Sequence, residues 1–157
     1  MYLKHCDNSS LDFQALVTKL DAELAIRDGD DHAFYHQFNG IDVLNHVIVA
    51  YDKGHPVGCG AFKVRNKQQV EIKRMFVLTA ARKKGYATAI LTALVTWAVK
   101  EGFSEAILET GKAQIEALSF YPKQGYTVIP NFAPYVGVEN SVCFLKNFKK
   151  RWFFWFI

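Results

Sequence analysis

The densest chemistry in the chain lies at Arg82-Lys83-Lys84-Gly85-Tyr86-Ala87, three adjacent cations and a glycine between a β-rich run and an amphipathic stretch. The first backbone N–H groups of a helix have no partner within it and sit at the positive end of its dipole. Cations placed there cost roughly a few tenths of a kcal/mol unless an anion compensates. Gly85 lets the backbone approach a bulky anion, and the small Ala87 keeps the helix entrance open. The segment therefore reads as a cradle for a pyrophosphate. It is not the nucleotide-triphosphate loop, which ends in Gly-Lys-Ser/Thr, nor a dinucleotide fingerprint, which needs more than one glycine.

These residues need a scaffold that brings strand, loop and helix together. Tyr2–Cys6 reads as a short strand. Ser10 can cap a helix with Phe13, Leu16, Val17, Leu20 and Leu24 on one face, ended near Gly29. Asp30–Gln37 reads as a second, shorter helix. His46–Asp52 and Val57–Val64 read as strands joined by the turn Lys53-Gly54-His55-Pro56, and Gln69–Leu78 adds a third to an antiparallel meander. Ala87, Ile90, Leu91, Leu94, Val95 and Ala98 then recur at helical spacing, with Gly102 past the end. A buried strand at Ala106–Thr110, a helix at Ala113–Lys123 and closing strands at Tyr126–Ile129 and Glu139–Lys146 complete one α/β or α+β domain. On strand alternation, Glu71, Lys73, Met75 and Val77 share one face unless a bulge intervenes.

Composition narrows the function classes. The 157 residues are 50% hydrophobic and 22% charged, which suits one folded domain over residues 1–148, with a basic and aromatic tail at 149–157. Three scattered cysteines, Cys6, Cys59 and Cys143, make neither a disulfide framework nor a cysteine zinc cage. No apolar run is long enough to span a bilayer, and the first ten residues lack an apolar signal core, so the expected location is the cytoplasm. The net charge of +4 is unevenly spread: eight bases against one acid between Lys63 and Lys84, and seven acids against three bases up to Asp31. A cationic centre suits a phosphate-bearing ligand. Nucleic acid is disfavoured, because no aromatic is interleaved with the cations before Phe76.

Arg82-Lys83-Lys84-Gly85-Tyr86-Ala87 resembles the Arg/Gln-x-x-Gly-x-Gly/Ala pattern of the GCN5-related N-acetyltransferases (GNAT). The order of elements around it is similar to that family, as is Gln114–Tyr126, which carries Ala117, Tyr121, Gly125 and Tyr126. The resemblance implies a central mixed, mostly antiparallel sheet of about six to seven strands flanked by helices. It also implies acetyl-CoA as cofactor and transfer of its acetyl group to a primary amine of a small molecule by direct attack. A non-catalytic acyl-CoA sensor and a protein lysine or N-terminal acetyltransferase are the alternatives. Carried over by position, Met75 and Val77, with Phe76 between them, would meet the pantetheine and thioester through their backbone. The amides from Lys83 through Gly85, Tyr86 and Ala87 to Thr88, with the Arg82 side chain, would take the pyrophosphate. Glu71 would be the general base, Tyr121 the acid that protonates the departing thiolate, and Gln114 a longer stand-in for the family's asparagine. Pro122, directly after Tyr121, could kink the helix that aims it.

Other signals are weaker. His32 and His36 stand one helical turn apart without a third converging ligand, so no metal is expected. Asp21, Glu23, Asp28, Asp30 and Asp31 lie where the resemblance places the acceptor, and Phe132 and Tyr135 could wall it. The aromatic tail suits packing or a homodimer contact better than membrane insertion.

Overall fold

The computed structural model describes residues 1–41 and 44–148, so the tail at 149–157 lies outside the described residues. Ser10 accepts a hydrogen bond from Phe13 N–H at 3.2 Å and starts α1 (Leu11–Asp28), which follows β1 (Tyr2–Cys6). The expected second helix divides into a 3-10 turn at Gly29–Asp31 and a short α2 (His32–His36). Then come β2 (His46–Asp52), β3 (His55–Val64) and β4 (Gln69–Val77). The turn between β2 and β3 is only Lys53-Gly54, both at positive φ, so His55 and Pro56 belong to the strand. A 3-10 turn at Thr79–Ala81 leads to α3 (Tyr86–Lys100), β5 (Glu105–Gly111), α4 (Ile115–Lys123), β6 (Thr127–Ile129) and β7 (Ser141–Asn147). Pro122 is accommodated inside the last turn of α4.

The seven strands form one mixed sheet in the order β1-β2-β3-β4-β5-β7-β6, antiparallel everywhere except between β4 and β5. One face is covered by α3 and α4, whose Ile90, Leu94 and Tyr121 join Ile48, Phe62 and Leu108 in the largest core cluster. The other carries α1, whose Phe13, Leu16, Val17, Leu20 and Leu24 pack on Val47, Val49 and Phe76. These are the five helix positions that the sequence spacing picks out.

Two features of β4 shape everything around the site. First, β4 pairs with β5 only over Gln69–Glu71, opposite Glu105–Ile107, so from Ile72 onward the edge facing β5 has no strand partner. Second, Arg74 sits at φ 59° where the β3–β4 register shifts, so Arg74 and Met75 together oppose Gly60. This bulge inverts the side-chain alternation. Val70 and Ile72 before it, and Met75 and Val77 after it, all belong to the α3 side, whereas Phe76 belongs to the α1 side. Glu71 and Lys73 therefore do not share a face with Met75 and Val77, which corrects the expectation from simple alternation.

Gly60 is where the bulge, the sheet and α3 meet. A Cβ there would lie 2.5 Å from Met75 Sδ, 2.9 Å from Ile90 Cγ2 and 3.0 Å from Leu94 Cδ1. Gly60→Val is expected to lower unfolding free energy by about 1–3 kcal/mol through overpacking, read as a lower urea midpoint at unchanged slope. A midpoint equal to wild type would show that the contact between β3 and α3 is looser than described.

Candidate functional site

The loop between β4 and α3 holds six consecutive backbone N–H groups, Lys83 to Thr88, that donate to no protein acceptor among the described residues. The first bond of the new helix runs from Ala89 N–H to Gly85 O at 3.0 Å. Lys83 (φ 63°) and Gly85 (φ 88°) both adopt left-handed backbone, the kind of conformation from which anion-binding nests are built. Only glycine takes the Gly85 conformation without strain, and a Cβ at that position would meet nothing of the protein within 4 Å. The space over Gly85 is open, as a bulky anion requires. Lys83, Lys84 and Thr88 are exposed beside it, and Ala87 is partly buried.

The Arg82 side chain is engaged within the protein, whereas Tyr86 contributes as expected. The Arg82 side chain donates from Nε to Val77 O at 2.9 Å and from Nη2 to both oxygens of Glu23, at 3.0 and 2.8 Å. It ties the loop to α1 instead of facing the open side. Tyr86 offers its backbone only, because its ring is buried in the core beneath α3.

A cavity of about 120 Å3 opens where β4 and β5 part. Met75 borders it, and Gln114, Ala117 and Tyr121 line it from α4 at helical spacing. Tyr121 is 6% exposed, and its hydroxyl has no hydrogen-bond partner among the described residues. Burial among the rings of Phe120, Tyr126 and Phe144 raises its pKa well above the usual phenol range. The proton is thus held on the phenol, the state a donor needs.

The carboxylates divide by environment. Glu71 is buried but paired, with Arg65 Nη1 at 3.3 Å and Lys73 Nζ at 3.6 Å. Glu109, in the middle of β5, lines the same cavity and was not singled out by sequence reasoning. Ser141 Oγ donates to its Oε2 at 2.7 Å, and Ser141 in turn meets Tyr35 OH at 3.0 Å. Burial pushes the Glu109 pKa up to about 7, opposed by the Ser141 hydrogen bond and Lys73, and reinforced by Asp28 and Glu71. Burial also lowers the pKa of Lys73, whose ammonium donates to Phe38 O at 2.8 Å.

The acidic front end is mostly committed. Asp21 pairs with Arg74, Glu23 with Arg27 and Arg82, and Asp31 accepts from Asn140, leaving Asp28 on the cavity wall and Asp30 exposed. Tyr135 lines the cavity as well, while Phe132 lies under the Arg65 guanidinium, 4.9 Å away. The eight central cations do not form one surface patch, since Arg74 is buried, Lys73 nearly so, and Arg82 is paired. Among the described residues, no group of three or more His, Cys, Asp or Glu could hold a metal ion. No described helix is long and apolar enough to cross a membrane.

Comparison with known proteins gives a consistent result. Residues 14–126 match the family described as "Acetyltransferase (GNAT) family". An IAA acetyltransferase from Azospirillum brasilense is 36% identical over 89 residues, 56% of this chain and 58% of that protein, so this chain spans less than two thirds of that relative. A structure described as an acyl-CoA N-acyltransferase from Klebsiella pneumoniae superposes with a TM-score of 0.78 at 24% identity, covering 94% of this chain and 97% of that one. A GNAT family acetyltransferase from Elizabethkingia anophelis with acetyl-CoA bound superposes with a TM-score of 0.65 at 12% identity, covering 93% and 97%.

The Glu109 environment has a signed consequence for stability. The folded carboxyl keeps its proton up to about pH 7, whereas an unfolded one releases it near 4.5. Between those values the folded state binds more protons, so this contribution is complete below pH 4.5 and lost as pH rises through 7. Glu109→Gln removes the titration. Its stability relative to wild type should grow by up to about 3 kcal/mol between pH 4.5 and 8, measured by urea unfolding at each pH. A constant difference across that range would contradict a raised Glu109 pKa.

Proposed function

The chain belongs to the GNAT acetyltransferase family, and from that premise we propose that it is an acetyl-CoA-dependent N-acetyltransferase acting on a primary amine of a small molecule. The observation that carries this reading is the run of six N–H groups at 83–88 without an acceptor among the described residues, on the loop that follows the strand whose Met75 borders the cavity of Glu109 and Tyr121. A coenzyme A diphosphate fits the first, because the nest is uncapped and a glycine leaves its approach clear. The unpaired edge of β4 around Met75, Phe76 and Val77 fits an extended amide-bearing arm, which can take the strand partner's place. Gln114 and Ala117 would flank that arm from α4.

Acetyl-CoA supplies the acetyl group as a thioester, whose carbon–sulfur bond breaks as the carbon–nitrogen bond forms. The chain's own residues manage the protons. Glu109 is the better base: burial brings its pKa to about 7, and its one hydrogen bond among the described residues comes from the neutral Ser141 hydroxyl. Glu71 is instead engaged by two cations, Arg65 at 3.3 Å and Lys73 at 3.6 Å. We therefore assign Glu71 to orienting Lys73 and Arg65, and Glu109 to the base role. Tyr121 holds a proton next to the α4 wall, where a departing thiolate can receive it. A backbone N–H at Met75 offers a hydrogen bond to oxygen at the point where charge develops, a contribution worth about 3 kcal/mol where such donors have been removed elsewhere.

Thiol release across an amine panel tests this. Wild-type kcat/KM should rise with pH through a limb near 7, set by Glu109 among Asp28, Glu71, Lys73, Tyr35 and Tyr135. Glu109→Gln should remove that limb and lower kcat about 100-fold, with coenzyme A affinity retained. Glu71→Gln should change KM for the amine more than kcat. Gly85→Glu should abolish coenzyme A binding, and Tyr121→Phe should lower turnover about 10- to 100-fold with that binding intact. Full activity in Glu109→Gln, with the limb unchanged, would remove it from the base role.

A further inference from the structure

A second, larger cavity of about 580 Å3 lies on the far side of the Glu71–Lys73 pair. It is walled by Gln37 and Phe38 after α2, by Lys63 to Arg65 at the end of β3, and by Ala133 to Tyr135 in the loop between β6 and β7. Glu71, Lys73 and Tyr135 border both cavities, so the two spaces adjoin along these three side chains. Its size is that of a metabolite site.

The charge on its described wall is unbalanced, with Lys63, Arg65 and Lys73 against Glu71 alone. Glu71 is already shared between two of the cations. Arg65 spends only Nη1, on Glu71 and on Ala133 O at 3.4 Å, so its Nε and Nη2 donors meet no described acceptor. Lys63 is exposed and makes no hydrogen bond or ion pair among the described residues. It lies close enough to Lys73 for their repulsion to act on the Lys73 ammonium. Cations gathered on a concave wall, with donors unspent and no acid among its described residues beyond the one already shared, favour an anion between them. The planar guanidinium of Arg65 is held over the Phe132 ring and offers a fixed fork for it.

Resting on the transferase reading above, we propose that this cavity binds an acidic group of the acceptor, so that the substrate is a small amine that also bears a carboxylate or a phosphate. The amine end enters the cavity with Glu109, and the acidic end stays with Lys63 and Arg65. Such a division separates the two charges of one small molecule across the Glu71–Lys73 pair. It also selects against polyamines and other purely cationic acceptors, which the basic wall repels.

The test compares matched acceptors at saturating acetyl-CoA: amino acids against their carboxamides, and aminoalkyl phosphates against the corresponding amino alcohols. The acid-bearing member of at least one series should show kcat/KM about tenfold higher, and which series responds distinguishes carboxylate from phosphate. Lys63→Gln should lower that acid-to-neutral ratio about tenfold, and Lys63→Glu should invert the preference; the exposed position spares the fold. Equal or faster turnover of the neutral members in both series, or a ratio unmoved by Lys63→Gln, would overturn the proposal. Calorimetry of the same acids on the coenzyme A-loaded protein separates the two readings. Acid binding that weakens in Lys63→Gln, without turnover of any amine, would sink the transferase reading and uphold the anion site. No acid binding at all would sink the anion site.

Discussion

One constraint organises the molecule: β4 cannot remain paired with β5 along its length. Three residues of parallel pairing are followed by a bulge at Arg74, whose left-handed backbone bends the strand away from its neighbour. The bulge is anchored from both faces. Arg74 is buried and paired with Asp21 of α1, and Met75 fills the space that Gly60 leaves beneath Ile90 and Leu94. A sheet that would otherwise be continuous is thereby opened at its centre, with main-chain donors and acceptors left on the rim.

The opening is chemically graded. At one end, the unpartnered amides of 83–88 and the flanking lysines favour an anion. In the middle, Tyr121 and Glu109 hold protons at different affinities because one is surrounded by rings and the other by a hydroxyl, a lysine and two acids. Beyond them, the Arg65–Glu71–Lys73 cluster borders a wider, basic space. Environment and not residue type separates the two glutamates: Glu71 lies between cations, whereas Glu109 is desolvated with a single strong hydrogen bond. The same desolvation that raises the Glu109 pKa works against the fold at higher pH, a common tension at functional sites.

Local signals in the sequence found most of the scaffold. The Ser10 cap and the apolar face of α1 depend on spacing within a few residues, and so does the glycine that the nest at Gly85 needs. The bulge was hidden because nothing about an arginine marks it for left-handed backbone; only its packing against Asp21 and the close approach at Gly60 hold it there. That single residue reverses the parity of β4 and moves Glu71 away from the face of Met75. Glu109 was passed over because it lies inside a run that reads simply as a buried strand. Its partners Ser141 and Tyr35 are distant in sequence, and no local pattern joins them. The partner that engages Arg82 is likewise distant, since Glu23 belongs to a helix 59 residues earlier.

The claim on which the rest stands is that the amides at the start of α3 and on the open edge of β4 are the contact surface for coenzyme A. Titrating the 15N-labelled protein with coenzyme A and following each amide by NMR reads that surface directly. Resonances of Lys83 to Thr88 and of Met75 to Val77 are expected to shift most, with those of β1 and β2 nearly still. Saturable binding that leaves the 83–88 amides unmoved would contradict it.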